Sequence, residues 1–280
     1  MVPAVRPSPP PHPAEFPRPI LSAIASALLQ YQSGPVVLDP FAGTGGIHHL
    51  HRLTPGRYST VGVEIEPEWA AASPGTIVGD ATRLPIASSS IDTVATSPCY
   101  GNRMADHHEA RDSSYRHTYR HLLGRPLSDG SAAGLHWGNP TYRELHRAAW
   151  SEVARVIRPG GLFVLNVKDH RRSGRRMHVA SWHATTISSL GFRLVSVRSV
   201  RTSGFRFGAN LSHPLPERVL VFVHVGTAWH WGRSASRPAV GSASRPAASP
   251  TANHVARASS DAWSPTCTTS PAYPGRGSSG

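Results

Sequence analysis

The segment Asp39-Pro40-Phe41-Ala42-Gly43-Thr44-Gly45-Gly46 constrains the fold more than any other. It follows a short apolar run, Val36-Val37-Leu38, and precedes a stretch of helical character that ends near Leu53. An apolar run of that length, cut off by glycines, reads as a buried strand. Glycines in a strand-to-helix turn let a backbone approach a ligand closely. In open α/β sheets that turn lies in the crevice at the carboxyl ends of the strands. The spacing is not the dinucleotide fingerprint of three glycines over six positions. Alone, the turn is as consistent with a tight corner as with a ligand site.

The rest of the chain supplies the sheet. Thr60 to Ile65, Thr76 to Val78, Ile91 to Thr96, Leu162 to Val167, Phe192 to Val197 and Arg218 to Val225 read as further strands. Apolar residues at Ile20, Leu21, Ile24, Leu28 and Leu29 make one face of a helix between Pro17 and Gln32. Leu145, Ala149, Val153, Val156 and Ile157 make another, stopped by Arg158-Pro159-Gly160-Gly161. Residues from about 177 to 190 suit a third. Strands alternating with helices predict an α/β fold: a seven-stranded, mostly parallel sheet with helices on both faces.

Acidic residues stand at the ends of successive strands. Glu64 closes Val61-Gly62-Val63-Glu64, about twenty residues after the glycine turn. A carboxylate there can accept both hydroxyls of a ribose. Asp80, in Gly79-Asp80-Ala81-Thr82, can take an adenine amino group. Either one singly reads as a solvated strand end. Three acids at successive strand ends, Asp39 first, point to one ligand.

Together these segments resemble the cofactor site of class I S-adenosylmethionine-dependent methyltransferases. The loop Asp39 to Gly46 is especially similar to that of DNA methyltransferases acting on exocyclic amino groups, and His12-Pro13-Ala14-Glu15-Phe16-Pro17 looks like the segment they place before it. Arg155-Val156-Ile157-Arg158-Pro159-Gly160-Gly161-Leu162-Phe163 resembles their helix-to-strand junction, so the likeness spans residues 12 to 225. It implies a Rossmann-like class I fold and S-adenosyl-L-methionine as cofactor. Asp39 would hold the methionine amino group. Phe41, Gly43 and Gly45 would form the loop around the cofactor, Glu64 would hold the ribose, and Asp80 the adenine.

Thr96-Ser97-Pro98-Cys99-Tyr100 resembles the catalytic motif of the same enzymes, in which Ser, Asp or Asn precedes Pro, Pro and an aromatic. The Ser form implies N4 of cytosine ahead of N6 of adenine. An exocyclic amino group is a poor nucleophile because its lone pair is delocalised into the ring. A side-chain oxygen and the next carbonyl can accept its two hydrogens and free that lone pair for in-line attack. Ser97 and the Pro98 carbonyl would fill those roles, and Tyr100 would stack on a base taken out of the duplex. Cys99 departs from the pattern, which has Pro there. It reads as a tolerated change, as the nucleophile of a cytosine C5-methyltransferase, or as a mark of a non-catalytic binder. The segments that accompany C5 chemistry are not found.

Charge adds a partner. The net charge is +13, carried almost wholly by arginine, Lys168 being the only lysine. A positive surface favours polyanions. Arg171, Arg172, Arg175 and Arg176 follow the fifth strand against Asp169 alone, and Arg103 opens a polar segment, 101–140, that reads as a lid or recognition loop. These arginines are the candidate nucleic-acid contacts, with DNA the expected partner and an RNA amino-methyltransferase the alternative. A small-molecule methyltransferase would explain the lack of a separate recognition domain, but not the Ser-Pro-x-Tyr motif.

The domain is expected to occupy 14–226, after an extended Pro-rich stretch, 1–13. The tail, 227–280, repeats Ser-Ala-Ser-Arg-Pro-Ala at 234–239 and 242–247 and reads as disordered. The run from Ile20 to Leu29 is broken by two serines and is taken as a helix of the fold, not an export signal. Cys99 and Cys267 make neither a disulfide framework nor a zinc set, which fits a cytoplasmic protein. No membrane and no metal partner is expected.

Overall fold

A computed structural model of the chain describes residues 9–14, 16–101, 118–172, 174–202 and 215–226. The expectations for Arg103, for 102–117 and for the tail 227–280 lie outside those residues.

Helix α1 (Arg18–Gln30) starts behind Pro17, with a second proline in its first turn, where a missing N–H costs nothing. Its buried face is Ile20, Leu21, Ile24, Ala25, Ala27 and Leu28. Strand β1 (Val36–Asp39) leads into the glycine turn. A helix running on to Leu53 was expected. Instead one 3-10 turn, Gly46–His49, gives way to a single turn of α2 (Leu50–Leu53). Strand β2 (Ser59–Glu64), the short α3 (Pro67–Ala70), β3 (Thr76–Val78) and β4 (Ile91–Thr96) follow. Within 118–140 the chain forms α4 (Tyr119–Leu123) and a 3-10 turn, Ala132–Gly134. Helix α5 (Pro140–Val156) opens on Asn139, whose side chain accepts from the Thr141 N–H at 3.0 Å.

Strand β5 (Ile157–Lys168) begins earlier than the glycines suggested. Its pairing with β4 jumps from Ile91↔Ile157 to Thr93↔Leu162, so Arg158 to Gly161 bulge out within the strand instead of ending the element before it. Gly161 permits this, since a Cβ there would meet the Asp92 carbonyl oxygen at 2.7 Å. A hairpin of β6 (His170–Arg172) and β7 (Arg175–Met177) comes next, then α6 (Val179–Ser188), β8 (Phe192–Val200) and β9 (Glu217–His224).

The main sheet has seven strands in the order β3-β2-β1-β4-β5-β9-β8. Strands β3, β2, β1, β4 and β5 pair parallel, and β9 runs antiparallel to both of its neighbours. This is the α/β architecture that the sequence implied, a seven-stranded, mostly parallel sheet with helices on both faces. Alternation along the strands divides the core. Leu38, Val94, Phe163, Leu165, Leu220 and Phe222 face α5, where Trp150, Val153 and Val156 meet them. Val37, Ala95, Leu162, Val164, Val219 and Val221 face α1, where Ile20, Ile24 and Leu28 meet them. Among the described residues no helix is long and apolar enough to cross a membrane.

Strand order reverses between β1 and β4, because β2 and β3 build outward on one side and β5 on the other. The carboxyl ends at that reversal are where open α/β sheets bind ligands.

Candidate active site

A cleft lies over the carboxyl ends of β3, β2, β1 and β4. Phe41, Gly43, Glu64, Asp80, Ser97 and Cys99 all line it, so the fold brings together residues spread over 59 positions of sequence.

Each strand end contributes differently. Asp39 is fully buried behind the turn and does not line the cleft. Its Oδ1 accepts from the Phe41 N–H at 3.0 Å and from the Thr96 hydroxyl at 2.6 Å, tying β1 to β4 across the reversal. Its Oδ2 is buried with no partner. Desolvation outweighs the two hydrogen bonds and pushes its pKa up to about 7. A buried oxygen left in that state is what a cationic ligand group would satisfy.

Glu64 holds the turn. Its carboxylate accepts from the Gly43 N–H at 2.8 Å and from the Glu66 N–H at 3.0 Å. Burial pushes its pKa up. Gly43 has φ +54°, and a Cβ there would meet the His12 ring at 3.1 Å. Gly45 has φ +83° and needs glycine for a different reason. A Cβ would strike the Ser73 side chain at 2.6 Å, and Gly46, not Gly45, lines the cleft. Asp80 is half-buried, with Oδ1 accepting from the N–H and hydroxyl of Thr82, each at 2.8 Å.

The stretch before α1 is built into the wall. His12 sets its ring edge-on to Trp69, with centroids 4.6 Å apart, and to Tyr119 at 5.4 Å. Burial pushes its pKa down to about 4, so the ring is neutral at physiological pH. The segment after Thr118, expected to be a polar loop, packs Tyr119 and Ala133 on Trp69. A carboxylate clamp holds it down. Arg125 reaches Glu66 at 2.9 Å and Glu68 at 2.5 Å, and Ser128 donates its N–H and hydroxyl to Glu66 at 2.9 and 2.8 Å.

Ser97 and Cys99 reach the cleft wall; Pro98 is buried between them. The Cys99 thiol donates to the Tyr119 hydroxyl at 3.4 Å, and burial pushes its pKa up to about 12. A nucleophilic cysteine needs its thiolate, so at neutral pH this one lacks the form that the C5 reading requires. Tyr100 was expected to offer a stacking face. It does not line the cleft, and its hydroxyl meets Ser97, Asn166 and Glu217. Asn166 and Glu217 escaped the sequence reading. Their only trace is a polar residue inside or at the edge of an apolar strand run, Leu165-Asn166-Val167 and Glu217-Arg218-Val219.

The basic cluster is not a simple loop. Arg171 pairs across the hairpin with Arg176, and Arg172 with Arg175. Arg175 and Arg176 are exposed, and Arg176 is held by Asp169 at 2.6 Å. Lys168 lies 3.4 Å from Glu217.

No family model matches the sequence, and no curated protein matches it. Some solved structures are distantly similar to it. A chain from the complex of the Haloferax volcanii Trm112 methyltransferase activator is 15% identical, with TM-score 0.48, over 75% of this chain and 91% of that one. A SAM-dependent methyltransferase from Methanosarcina mazei is 14% identical, with TM-score 0.45, over 76% and 99%. A TehB-like SAM-dependent methyltransferase from Corynebacterium glutamicum is 14% identical, with TM-score 0.40, over 73% and 92%. A likeness at this distance assigns no substrate.

Proposed function

We propose that this chain binds S-adenosylmethionine in the cleft and transfers its methyl group to an exocyclic amino group of a DNA base, N4 of cytosine ahead of N6 of adenine. The observation that carries the reading is that Ser97, at the end of β4, lines the same cleft as Gly43, Glu64 and Asp80. The residues fit the cofactor: the buried Oδ2 of Asp39 lacks a partner, and Gly43 holds the turn at φ +54°, a conformation that favours glycine. Asp39 would hold the α-ammonium group, Glu64 the ribose and Asp80 the adenine. Bound there, the cofactor supplies an electrophilic methyl group.

The chain's own residues then have two tasks. Ser97 accepts a hydrogen from the target amino group and orients it. Phe41, Trp69 and Tyr119, which line the cleft, would keep water from the reacting atoms. Arg171, Arg172, Arg175 and Arg176, on the hairpin that follows β5, would grip backbone phosphates.

The test is to incubate the protein with cofactor labelled in the methyl group and, separately, with DNA, RNA and free nucleosides, and to identify the modified base by mass spectrometry. N4-methylcytosine in DNA is the expected product. Label confined to RNA, or to free nucleosides, would overturn the DNA assignment.

A further inference from the structure

Beneath the cleft wall, four polar side chains from separate parts of the chain close into one network. Ser97 Oγ lies 2.9 Å from the Tyr100 hydroxyl, and that hydroxyl donates to Glu217 Oε2 at 3.0 Å. Asn166 Nδ2 donates to Ser97 Oγ at 3.1 Å and to the Tyr100 oxygen at 2.8 Å. Glu217 is in register with Lys168 across β5 and β9, and its other oxygen lies 3.4 Å from that ammonium. Asn166 is 1% exposed and Glu217 7%, so water does not offer these groups alternatives.

With the Asn166 Nδ2 facing the two hydroxyl oxygens and its Oδ1 buried without a partner, counting hydrogens orients this network. A carboxylate only accepts, and a tyrosine hydroxyl has one hydrogen to give. That hydrogen goes to Glu217, so at the Ser97–Tyr100 contact Ser97 is the donor. Asn166 spends its two amide hydrogens on the two oxygens. The reverse amide orientation would set its oxygen against the Tyr100 oxygen, whose hydrogen is committed to Glu217. Ser97 therefore gives its hydrogen to Tyr100 and one lone pair to Asn166. What remains to face the cleft is its other lone pair.

We propose that Glu217 is a specificity-determining positioning residue: acting through Tyr100, it turns the Ser97 hydrogen away from the cleft, so the site accepts a substrate that offers a donor there, an N–H, and refuses one that offers a carbonyl oxygen. This rests on the reading of Ser97 as the group that meets the substrate. Cytosine and adenine present an amino group at the position where uracil and hypoxanthine present an oxygen. Against a lone pair the amino group forms a hydrogen bond. The oxygen meets repulsion and loses the bonds it made to water.

Two measurements on the full-length protein decide it. The first compares binding of single-stranded oligonucleotides that differ only in one cytosine or uracil, with S-adenosylhomocysteine present. The wild type should favour cytosine by tenfold or more. Tyr100→Phe and Glu217→Leu each free the Ser97 hydrogen to turn toward the cleft, so the ratio should fall toward one. Glu217→Gln keeps an acceptor oxygen and should retain the preference. A ratio unchanged in Tyr100→Phe and Glu217→Leu, with both variants folded by circular dichroism, overturns the proposal. The second needs no substrate. Neutron diffraction from deuterium-exchanged crystals should place the Ser97 deuteron on the Tyr100 side, and a deuteron pointing into the cleft overturns the proposal. Should the wild type bind neither oligonucleotide, the DNA reading fails, and the deuteron position alone decides the wiring of Ser97.

Discussion

The hydroxyl of Tyr142 donates to the main-chain carbonyl of Cys99 at 2.9 Å, which fixes the backbone of the Ser97 to Tyr100 turn from behind. Tyr142 is itself fixed. The Trp150 indole N–H donates to His183 Nδ1 at 3.0 Å, so the neutral ring carries its proton on Nε2 and gives it to the Tyr142 oxygen, 3.2 Å away. Burial drives the His183 pKa down, which keeps the ring in the neutral form the chain needs. Three side chains from α5 and α6 thus set a one-way run of hydrogen bonds that ends on the candidate catalytic turn.

Tyr142→Phe should break this run at its last link. It leaves both the Cys99 carbonyl and the His183 N–H without partners in a buried place. The cost is about 1–3 kcal/mol of folding stability, read as a lower urea midpoint with an unchanged slope. Amide exchange at residues 98–101 should accelerate more than exchange in β5. Uniform acceleration would mean that Tyr142 supports the core and not the turn.

Arg125→Met tests the clamp on the segment that carries Tyr119. Glu66 is fully buried and faces Arg125 and Ser128. Removing the guanidinium leaves a buried carboxylate short of its cation, which is strongly unfavourable. Arg125 is itself a third exposed, so solvent screening moderates the loss to about 1–2 kcal/mol. Residues 118–134 should exchange faster and cofactor-analogue dissociation should quicken, while exchange in β1 and β4 stays slow. Dissociation at the wild-type rate would show that the clamp does not cover the ligand.

Local signals and remote ones differed in how far the sequence disclosed them. The glycine turn, the acids at strand ends and Ser97-Pro98-Cys99-Tyr100 are each contiguous and sit where strand patterns stop, so composition and spacing exposed them. The partners of Ser97 are distant: Asn166 is 69 residues away, and Glu217 is 117 residues from Tyr100. Only sheet order brings β5 beside β4 and β9 beside β5. The hairpin of β6 and β7 was missed because Arg-rich strands of three residues carry no alternation. His12 was counted in the extended stretch 1–13, and only the likeness of the stretch His12 to Pro17 to the segment before the cofactor loop hinted that it lies near that loop. A run of prolines carries no periodicity to show that its ring sits over Gly43. The expected helix after Gly46 had the right apolar residues, Ile47 and Leu50, but they are buried from a 3-10 turn and a single α turn.

Cys99 should behave as a packed side chain. Its pKa of about 12 leaves almost no thiolate at pH 8. In a Cys267→Ala background, iodoacetamide should label the native protein at least a hundredfold more slowly than the urea-unfolded chain. A 5-fluorocytosine oligonucleotide should form no covalent adduct. Cys99→Ser should keep the fold. Rapid labelling of the native thiol, or a trapped adduct, would restore the C5 mechanism.

Asp39 makes a pH prediction whose sign follows from its raised pKa, about 7 in the native state against an ordinary value of 3.8. Below about pH 4 the group is protonated whether the chain is folded or not, and its contribution to stability is fully present. Between pH 4 and 7 the unfolded chain has released the proton while the native state keeps it, so stability falls as pH rises. Above 7 the loss is complete, up to about 4 kcal/mol. Asp39→Asn should flatten this slope in urea titrations without added ligand. The cofactor analogue should reverse the effect, because an α-ammonium group beside Oδ2 favours the carboxylate. Binding of S-adenosylhomocysteine at pH 6 should therefore release close to one proton per site, measured by calorimetry in buffers of different ionisation enthalpy, and Asp39→Asn should release none. Equal proton release by both proteins would place the ammonium elsewhere and remove Asp39 from the cofactor site.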